Sequence, residues 1–174
     1  MEFEAFQKIP RLMRDCTITE KIDGTNAQIA FDDAGTMWVG SRNRWLTVDS
    51  DNFGFCAWAK AHEEELRELG PGRHYGEWFG AGIQRKYGLE EKRFALFNTA
   101  RWGQQTPPPS CCSVVPVLYC GPFSTEVVDM CLSDLRTYGS RMVFGWKSPE
   151  GVVVYHHHSR TLAKVTLDGD GHKG

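Results

Sequence analysis

The stretch Thr17-Ile-Thr-Glu-Lys-Ile-Asp-Gly-Thr-Asn26 decides the fold of this chain, because it has the pattern of a strand, a tight turn and a second strand. Side chains alternate in character over residues 17–22, and Asp-Gly is a common hairpin turn. Lys21 is therefore predicted at the end of a strand, held rigidly and pointing beyond it. A lysine amine near other cations loses its proton more readily and can act as a nucleophile. The ordinary alternative is a surface lysine entering a hairpin.

The composition describes one ordinary globular domain. The chain has 174 residues, of which 41% are hydrophobic and 24% charged, so we expect residues 1–174 to form a single domain. A net charge of −2 argues against coating nucleic acid by bulk charge, but it leaves room for a local basic cleft. The six cysteines form no C-x-x-C pair, and the sequence shows neither a signal peptide nor a long apolar run. These features predict a cytoplasmic protein with free thiols and no membrane segment.

The periodicity predicts a mixed, mainly antiparallel α+β domain in which strands dominate. One helix is predicted at residues 51–69, ended by Gly70-Pro71-Gly72. A second is predicted at 124–138, with Ser124 as its N-cap and Gly139 as its stop. Strands are predicted at residues 17–22, 25–31, 36–41, 73–79, 92–99, 114–119, 151–157 and 161–167.

Five short segments contain side chains suited to attack on a nucleotide α-phosphate. Together they supply an amine nucleophile, cations for phosphate oxygens, carboxylates for a metal and a ribose, and an aromatic ring for the base. Taken singly, each charged residue is better explained by a strand edge or a solvent-facing position, and only together do the segments favour this chemistry. The segments are Glu20–Asn26, Ser41-Arg42-Asn43-Arg44, Tyr75-Gly-Glu-Trp-Phe-Gly-Ala-Gly-Ile-Gln84, Pro149-Glu-Gly-Val-Val-Val154 and Leu162-Ala-Lys-Val-Thr166.

In this order, the segments resemble those of the covalent nucleotidyltransferases, the superfamily of DNA ligases, RNA ligases and mRNA capping enzymes. The sequences that carry the resemblance are Glu-Lys-x-Asp-Gly-Thr-Asn, Ser-Arg-Asn, Gly-Glu-x-x-Gly-x-Gly-Ile-Gln, Phe-x-x-Phe-Asn, Glu-Gly-Val-Val and Lys-Val-Thr, spread over residues 17–167. They are most similar to the bacteriophage ATP-dependent RNA ligases. The resemblance implies an ATP-grasp-like adenylation domain: two packed, mainly antiparallel sheets with flanking helices and ATP in the groove between them.

The resemblance also implies a role for each matched residue. Lys21 attacks the α-phosphate of ATP to form lysyl-AMP, while Lys164 neutralises that phosphate and favours the unprotonated amine. Asp23 and Glu150 orient Mg²⁺, or Mn²⁺, and its waters. The nucleotide is bound by Glu20, which together with its backbone helps to read adenine, by Asn26 and Arg42 at ribose or phosphate, by Glu77 at a ribose hydroxyl, and by Phe97, which stacks on the base.

The implied reaction joins a 5′-phosphate and a 3′-hydroxyl of RNA, and two departures weaken the match. Thr166 stands where RNA ligases often have a second lysine, and Asn98 stands where an aspartate is usual. The sequence also ends soon after the last segment, so we expect no separate C-terminal clamp domain. An adenylyltransferase that modifies a protein or small molecule without ligating, and a degenerate nucleotide-binding module, remain alternatives. The choice of ATP over GTP or NAD and any protein partner stay open.

Overall fold

Nine strands and three helices form the computed structural model, which describes residues 1–9 and 11–168. The helices are α1 (Phe55–Ala61), α2 (Glu63–Leu66) and α3 (Thr125–Tyr138), and a 3-10 turn at Arg67–Leu69 follows α2. The strands are β1 (Asp15–Lys21), β2 (Thr25–Phe31), β3 (Met37–Ser41), β4 (Gly72–Gly80), β5 (Lys92–Leu96), β6 (Cys112–Val114), β7 (Val117–Pro122), β8 (Gly151–His156) and β9 (Thr161–Thr166).

The Lys21 sheet, as we call it, has four antiparallel strands in the order β7-β1-β8-β9. Alternate side chains of β1 and β8 pack against α3, because the strands are amphipathic and α3 has an apolar stripe. That core includes Ile18, Val152 and Leu135. Residues of the opposite phase, Lys21 among them, lie on the other side of the sheet.

The Glu77 sheet has five strands in the order β3-β2-β4-β5-β6, of which only the β5–β6 pair is parallel. One side packs against α1 and α2 in the largest core, where Phe55 contacts Trp78 and Phe94. The other side carries Glu77 and faces the Lys21 sheet. We call the space between the Lys21 side and the Glu77 side the groove.

A third apolar cluster joins the two sheets at one end of the groove. It contains Ile22, which follows β1, together with Phe79 of β4 and Ala95 of β5. The turn after β1 lies so close to β4 that a Cβ on Gly24 would be 2.3 Å from the carbonyl oxygen of Trp78. Glycine at this position therefore lets the strand that ends in Lys21 reach the Glu77 sheet.

The predicted α+β class and the two mainly antiparallel sheets are confirmed, as is the second helix. Val127 N–H donates to the Ser124 hydroxyl at 3.2 Å, and Gly139 follows α3 with φ 86°. The first predicted helix begins late, at Phe55, because the Asp51 carboxylate accepts the N–H groups of Cys56 and Ala57 from outside the helix.

Three other predicted boundaries differ from the structure. The first helix is interrupted at His62, whose φ of −111° is not helical. The predicted strand 114–119 is two strands, β6 and β7, separated at Pro116, which has no N–H to donate to a ladder. The predicted strand 92–99 ends at Leu96.

All six cysteines lie within the described ranges and have free thiols. The Cys111 and Cys112 sulfurs are 3.9 Å apart. Among residues 1–9 and 11–168, the longest apolar helices fall short of what a bilayer crossing requires.

Candidate active site

The ends of β1 and β8 bring Lys21 and Glu150 together. Lys21 lies opposite Gly151 in the sheet, so the carboxylate of the preceding Glu150 reaches the lysine, with Nζ 2.7 Å from Oε2. Both side chains are partly exposed. A Cβ on Gly151 would lie 2.1 Å from the carbonyl oxygen of Val165, so glycine allows β9 to approach β8 at this level. The candidate nucleophile and a carboxylate thus share one end of the Lys21 sheet.

The strand register places Lys164 on the same side of the sheet as Lys21. Thr19 lies opposite Val153, and Val153 lies opposite Lys164, so the three share the Lys21 side. Lys164 is exposed on the edge strand β9 and forms no ion pair within the described residues. Thr166 lies opposite Gly151, in the same row as Lys21. An anion in the groove can therefore meet both lysines.

Glu77 lies on the opposite wall of the groove and is held by two donors. Asn26 lies opposite it in the sheet, and its Nδ2 donates to Oε2 at 3.0 Å. The backbone N–H of Gly24 donates to Oε1 at 3.1 Å. Burial raises the pKa of Glu77 to about 7, although these hydrogen bonds and the charge of Lys21 act against that rise. This carboxyl group consequently changes charge near neutral pH.

We expect Glu77 to make the protein less stable as the pH rises from about 4.5 to about 7. The folded protein holds the Glu77 proton more tightly than the unfolded chain does. The contribution of Glu77 to the free energy of unfolding is therefore complete at pH values below the unfolded pKa, and it is lost as the pH rises through the folded pKa. The size of the loss is of the order of 3 kcal/mol, from a shift of 4.5 to about 7. Urea denaturation of wild type and Glu77→Gln at about pH 5 and about pH 8 measures it.

Glu77→Gln isolates this contribution, because Glu20, whose pKa burial also raises, is present in both proteins. The free energy of unfolding of wild type should fall relative to that of Glu77→Gln between the two pH values. Equal changes in both proteins would show that Glu77 titrates as an ordinary solvated carboxyl group.

Phe97 follows β5 on the Glu77 side of that sheet. Ala95 lies opposite Glu77, and Phe97, two residues on, donates its N–H to the Tyr75 carbonyl at 3.0 Å. The Phe97 ring is 40% exposed, whereas Phe94 is fully buried against α1. Alternation along this segment predicts Ala95 and Phe97 on one face and Phe94 on the other, and the prediction holds although β5 ends at Leu96, one residue before Phe97. The Asn98 side chain faces the following turn, where its oxygen accepts from the N–H of Arg101.

Phe97→Ala should raise the nucleotide KM about five- to hundredfold, because stacking of an aromatic ring on a base contributes about 1–3 kcal/mol. Phe94→Ala should instead lower the free energy of unfolding by about 3–5 kcal/mol, since it opens a cavity in the core. Nucleotide titrations and urea denaturation of both variants provide the measurement. A large stability loss in Phe97→Ala with normal nucleotide binding would reverse the two assignments.

The Glu20 side chain points away from the groove. It is buried, and its carboxylate accepts hydrogen bonds from the Ser140 hydroxyl at 2.6 Å and from the backbone N–H groups of Arg141 and Met142 at 2.7 and 3.0 Å. This carboxylate holds the segment after α3 against β1. Only the Glu20 backbone is left for the predicted role at adenine.

Arg42 lies just beyond the end of β3 and is exposed. Ser41 lies opposite Ala27, so Arg42 comes near the level of Asn26 at the open end of the Glu77 sheet. The neighbouring Arg44 instead donates to the carbonyl groups of Ser50 and Asp51. Of these two arginines, Arg42 is the one whose side chain has no hydrogen-bond or ion-pair partner among residues 1–9 and 11–168, so it is available to a ligand.

The structure adds Arg85, which the sequence pattern did not identify. Its Nε lies 2.9 Å from Asp23 Oδ2, and its other nitrogens donate to the Ser148 carbonyl and to Asp168. Arg85 follows Gln84 in a turn where several non-glycine residues have positive φ. The sequence signal was the glycine-rich turn itself. It could not show that the turn carries an arginine back to Asp23.

No group of three or more His, Cys, Asp or Glu side chains within residues 1–9 and 11–168 is arranged to hold a metal. Asp23 and Glu150, the predicted metal carboxylates, each have one oxygen engaged by a cation. Mg²⁺ is commonly held by one or two carboxylates, with water and substrate phosphates as the other ligands. The two carboxylates fit that arrangement and do not form a metal site by themselves.

Comparison with known proteins places these features in context. A family model described as RNA ligase matches residues 14–166. Solved structures of a Naegleria gruberi RNA ligase are similar in fold: an apo lysine-to-alanine mutant has a TM-score of 0.64 at 20% identity and covers 89% of this chain and 50% of that one. The same ligase with pyrophosphate has a TM-score of 0.62 at 20% identity, covering 89% and 50%.

A third structure, an arginine-to-alanine mutant of that ligase with ATP and Mn, has a TM-score of 0.60 at 18% identity and covers 88% and 49% of the two chains. The present chain thus spans about half the length of the Naegleria protein. A search of curated proteins finds no match.

Proposed function

Since this chain belongs to the RNA ligase family, we propose that it is an ATP-dependent RNA ligase that forms lysyl-AMP at Lys21 and joins 5′-phosphate to 3′-hydroxyl ends. The observation that carries the proposal is the position of Lys21, 2.7 Å from Glu150, with Lys164 on the same side of the groove. The Naegleria structure with ATP and Mn supports ATP and a divalent cation, Mg²⁺ or Mn²⁺, as the ligands.

In the first step Lys21 Nζ must lose a proton before it attacks. Glu150 Oε2 is in hydrogen-bond contact and accepts that proton. Nζ then forms a bond to the α-phosphorus of ATP while the bond to the bridging oxygen breaks, and pyrophosphate leaves. Lys164, on the same wall of the groove, faces the negative charge that grows on the phosphate. Asp23 and the free oxygen of Glu150 would hold a divalent cation, which would supply charge to neutralise the phosphate.

The Glu77 wall positions the nucleoside. Glu77 accepts a hydrogen bond from a ribose hydroxyl, and Asn26 fixes the carboxylate in place from the neighbouring strand. Phe97 presents an exposed ring for the base, and Arg42 meets ribose or phosphate at the open end of the groove. The Lys21 side of the groove therefore acts on the α-phosphate, and the Glu77 side holds the nucleoside.

The remaining steps transfer AMP to an RNA 5′-phosphate and then displace it with a 3′-hydroxyl. To test them, the protein is incubated with α-labelled ATP and Mg²⁺ and analysed on a denaturing gel, after which 5′-phosphorylated RNA is added. A labelled protein band followed by sealed RNA supports the proposal. A labelled protein that never yields a polynucleotide product would identify a non-ligating adenylyltransferase. The absence of labelled protein would identify a degenerate nucleotide-binding module.

A further inference from the structure

Three exposed aromatic rings and one arginine extend the Glu77 wall beyond the nucleotide residues. They are Trp38, Trp45 and Tyr75, which are 45%, 42% and 52% exposed, together with Arg73. We call these four residues the aromatic–arginine surface. Large aromatic rings exposed together on one face of a sheet mark an interaction site more often than isolated ones do.

The strand register shows that this surface is continuous with the candidate active site. Ala30 lies opposite Trp38 on one side and opposite Arg73 on the other, so all three face the groove side. Gln28 lies opposite Tyr75 in the next row, and Asn26 lies opposite Glu77 in the row after that. Because a strand rises about 3.3 Å per residue, Arg73 lies about 13 Å from Glu77. A nucleotide held at Glu77 and Phe97 therefore does not cover the row formed by Trp38, Ala30 and Arg73.

Trp45 reaches this side because Gly40 has no side chain. Gly40 forms a bridge with Trp45 across the turn that follows β3. A Cβ on Gly40 would lie 3.0 Å from the Trp45 ring and 2.8 Å from the Gln28 side chain. The indole therefore occupies the place of the missing side chain. It is tilted 53° from the Trp38 ring, with centroids 5.6 Å apart.

Trp38 and Arg73 complete a cleft with one fixed ring and one available cation. Trp38 Nε1 donates a hydrogen bond to the Asp32 carboxylate at 2.9 Å. This bond fixes the orientation of the ring and engages one oxygen of Asp32. The Arg73 guanidinium carbon lies 5.4 Å from the Trp45 ring, and its hydrogen bond to Gln28, at 3.5 Å, is weak. The cleft between Trp38, Trp45 and Arg73 has a volume of about 440 Å³. A cleft of this volume can hold a planar group next to the Arg73 guanidinium.

The chemistry of the cleft favours a nucleic acid strand over an apolar protein segment. Besides the two indole rings and Arg73, the cleft is lined by Ala30, Phe31, Asp32 and Gly72, so it offers separate rings and polar backbone and lacks a continuous aliphatic surface. The Asp32 carboxylate is already hydrogen-bonded to Trp38 Nε1 and to two backbone N–H groups of its own turn. Rings that stack on bases, together with cations that meet phosphates, are the usual means of binding single strands without sequence preference.

We infer that the aromatic–arginine surface binds unpaired nucleotides of the RNA substrate, with bases stacked on Trp45 and Trp38 and a phosphate at Arg73. This inference rests on the proposed function, since it assigns the strand to the same groove. It adds a binding site about four strand residues from Glu77, and it explains how a chain of net charge −2 holds RNA. Stacking supplies the affinity that bulk charge does not.

The test measures fluorescence anisotropy of a labelled single-stranded RNA of about twelve nucleotides without a 5′-phosphate. Trp45→Ala should raise the Kd about five- to hundredfold, and Trp45→Phe, which keeps a ring, should recover most of the affinity. Arg73→Ala should reduce the slope of log Kd against log salt by about 0.7 between about 50 and 200 mM salt, as expected for one phosphate contact with a single strand.

Tyr138→Ala and Arg141→Ala are matched controls, because this pair is also an exposed ring with an arginine 5.9 Å from its centroid, at the C-terminal end of α3. Their Kd and salt slope should equal those of wild type. Thermal denaturation shows whether each variant is folded, and the salt slope of Arg73→Ala keeps the test valid if Trp45→Ala is not.

Lys21 adenylylation with labelled ATP, measured on the same variants, separates the two proposals. Weakened RNA binding in Trp45→Ala, with wild-type binding in the Tyr138→Ala control, supports the inference even if wild type forms no adduct, an outcome that would refute only the proposed function. Equal RNA binding by wild type and a Trp38→Ala/Trp45→Ala double variant overturns the inference. So does a wild-type protein that binds no RNA, or a loss of adduct in Trp45→Ala that parallels the loss of RNA binding, because that result places Trp45 at the nucleotide.

Discussion

Lys21→Ala should form no labelled adduct with α-labelled ATP and Mg²⁺, whereas wild type should form one that survives denaturation and is cleaved by acid. Lys21 is the only lysine among the described residues that forms an ion pair with Glu150, at 2.7 Å, so no other amine there can pass its proton to this carboxylate and replace Lys21 as the nucleophile. Lys21→Arg should also fail, because a guanidinium stays protonated and cannot attack phosphorus. The measurement is a denaturing gel followed by mass-spectrometric mapping of the modified residue.

Lys60→Ala is the control for this result, since Lys60 is an exposed lysine on α1, away from the groove. It should be labelled as wild type is. An adduct that maps to any lysine other than Lys21 would contradict the assignment of the nucleophile, even if total labelling fell in Lys21→Ala.

Lys164→Ala should slow adenylylation about a hundredfold while leaving the protein folded. One preorganised electrostatic contact to developing charge contributes on this scale, and Lys164 is on the Lys21 side of the sheet without an ion-pair partner in the described residues. Because the side chain is exposed on an edge strand, its removal should barely change the free energy of unfolding. Single-turnover rates of adduct formation at saturating ATP give the effect.

Lys92→Ala is the matched control, an exposed lysine at the start of β5. A folded Lys164→Ala protein with a near-normal rate would show that this lysine, despite its register, extends into solvent. A loss seen only at low ATP would place Lys164 in ground-state binding, because the chemical step itself would then be unaffected.

Short-range patterns were enough to predict the parts of the site that depend on strand phase. Alternation placed Lys21 at a strand end and separated Phe97 from Phe94, and turn residues fixed where β1 and β2 meet. These features depend on neighbouring residues only, so periodicity reveals them. The same is true of the helix α3, where a serine cap and a glycine stop are local signals.

Local patterns could not predict contacts between residues that are far apart in the sequence. The pairing of Arg85 with Asp23, and of Glu20 with the segment after α3, joins residues far apart in sequence. The resemblance implied that Glu20 and its backbone help to read adenine, but alternation within β1 turns the side chain to the opposite side and leaves only the backbone for that role. The break at His62 was missed because the apolar spacing continues across it while the backbone does not.

Within the part of the chain that the structure describes, the apolar cluster that joins the two sheets, which includes Ile22, Phe79 and Ala95, lies at one end of the groove, and its position has a consequence for cooperativity. Each sheet has its own core, so opening of β9 need not open β2. A nucleotide that touches Lys164 on one wall and Glu77 on the other would link the two cores. Amide hydrogen exchange in β2 and β9, independent in the free protein, should then slow together when ATP is bound, and the substrate would act as a structural element of the fold.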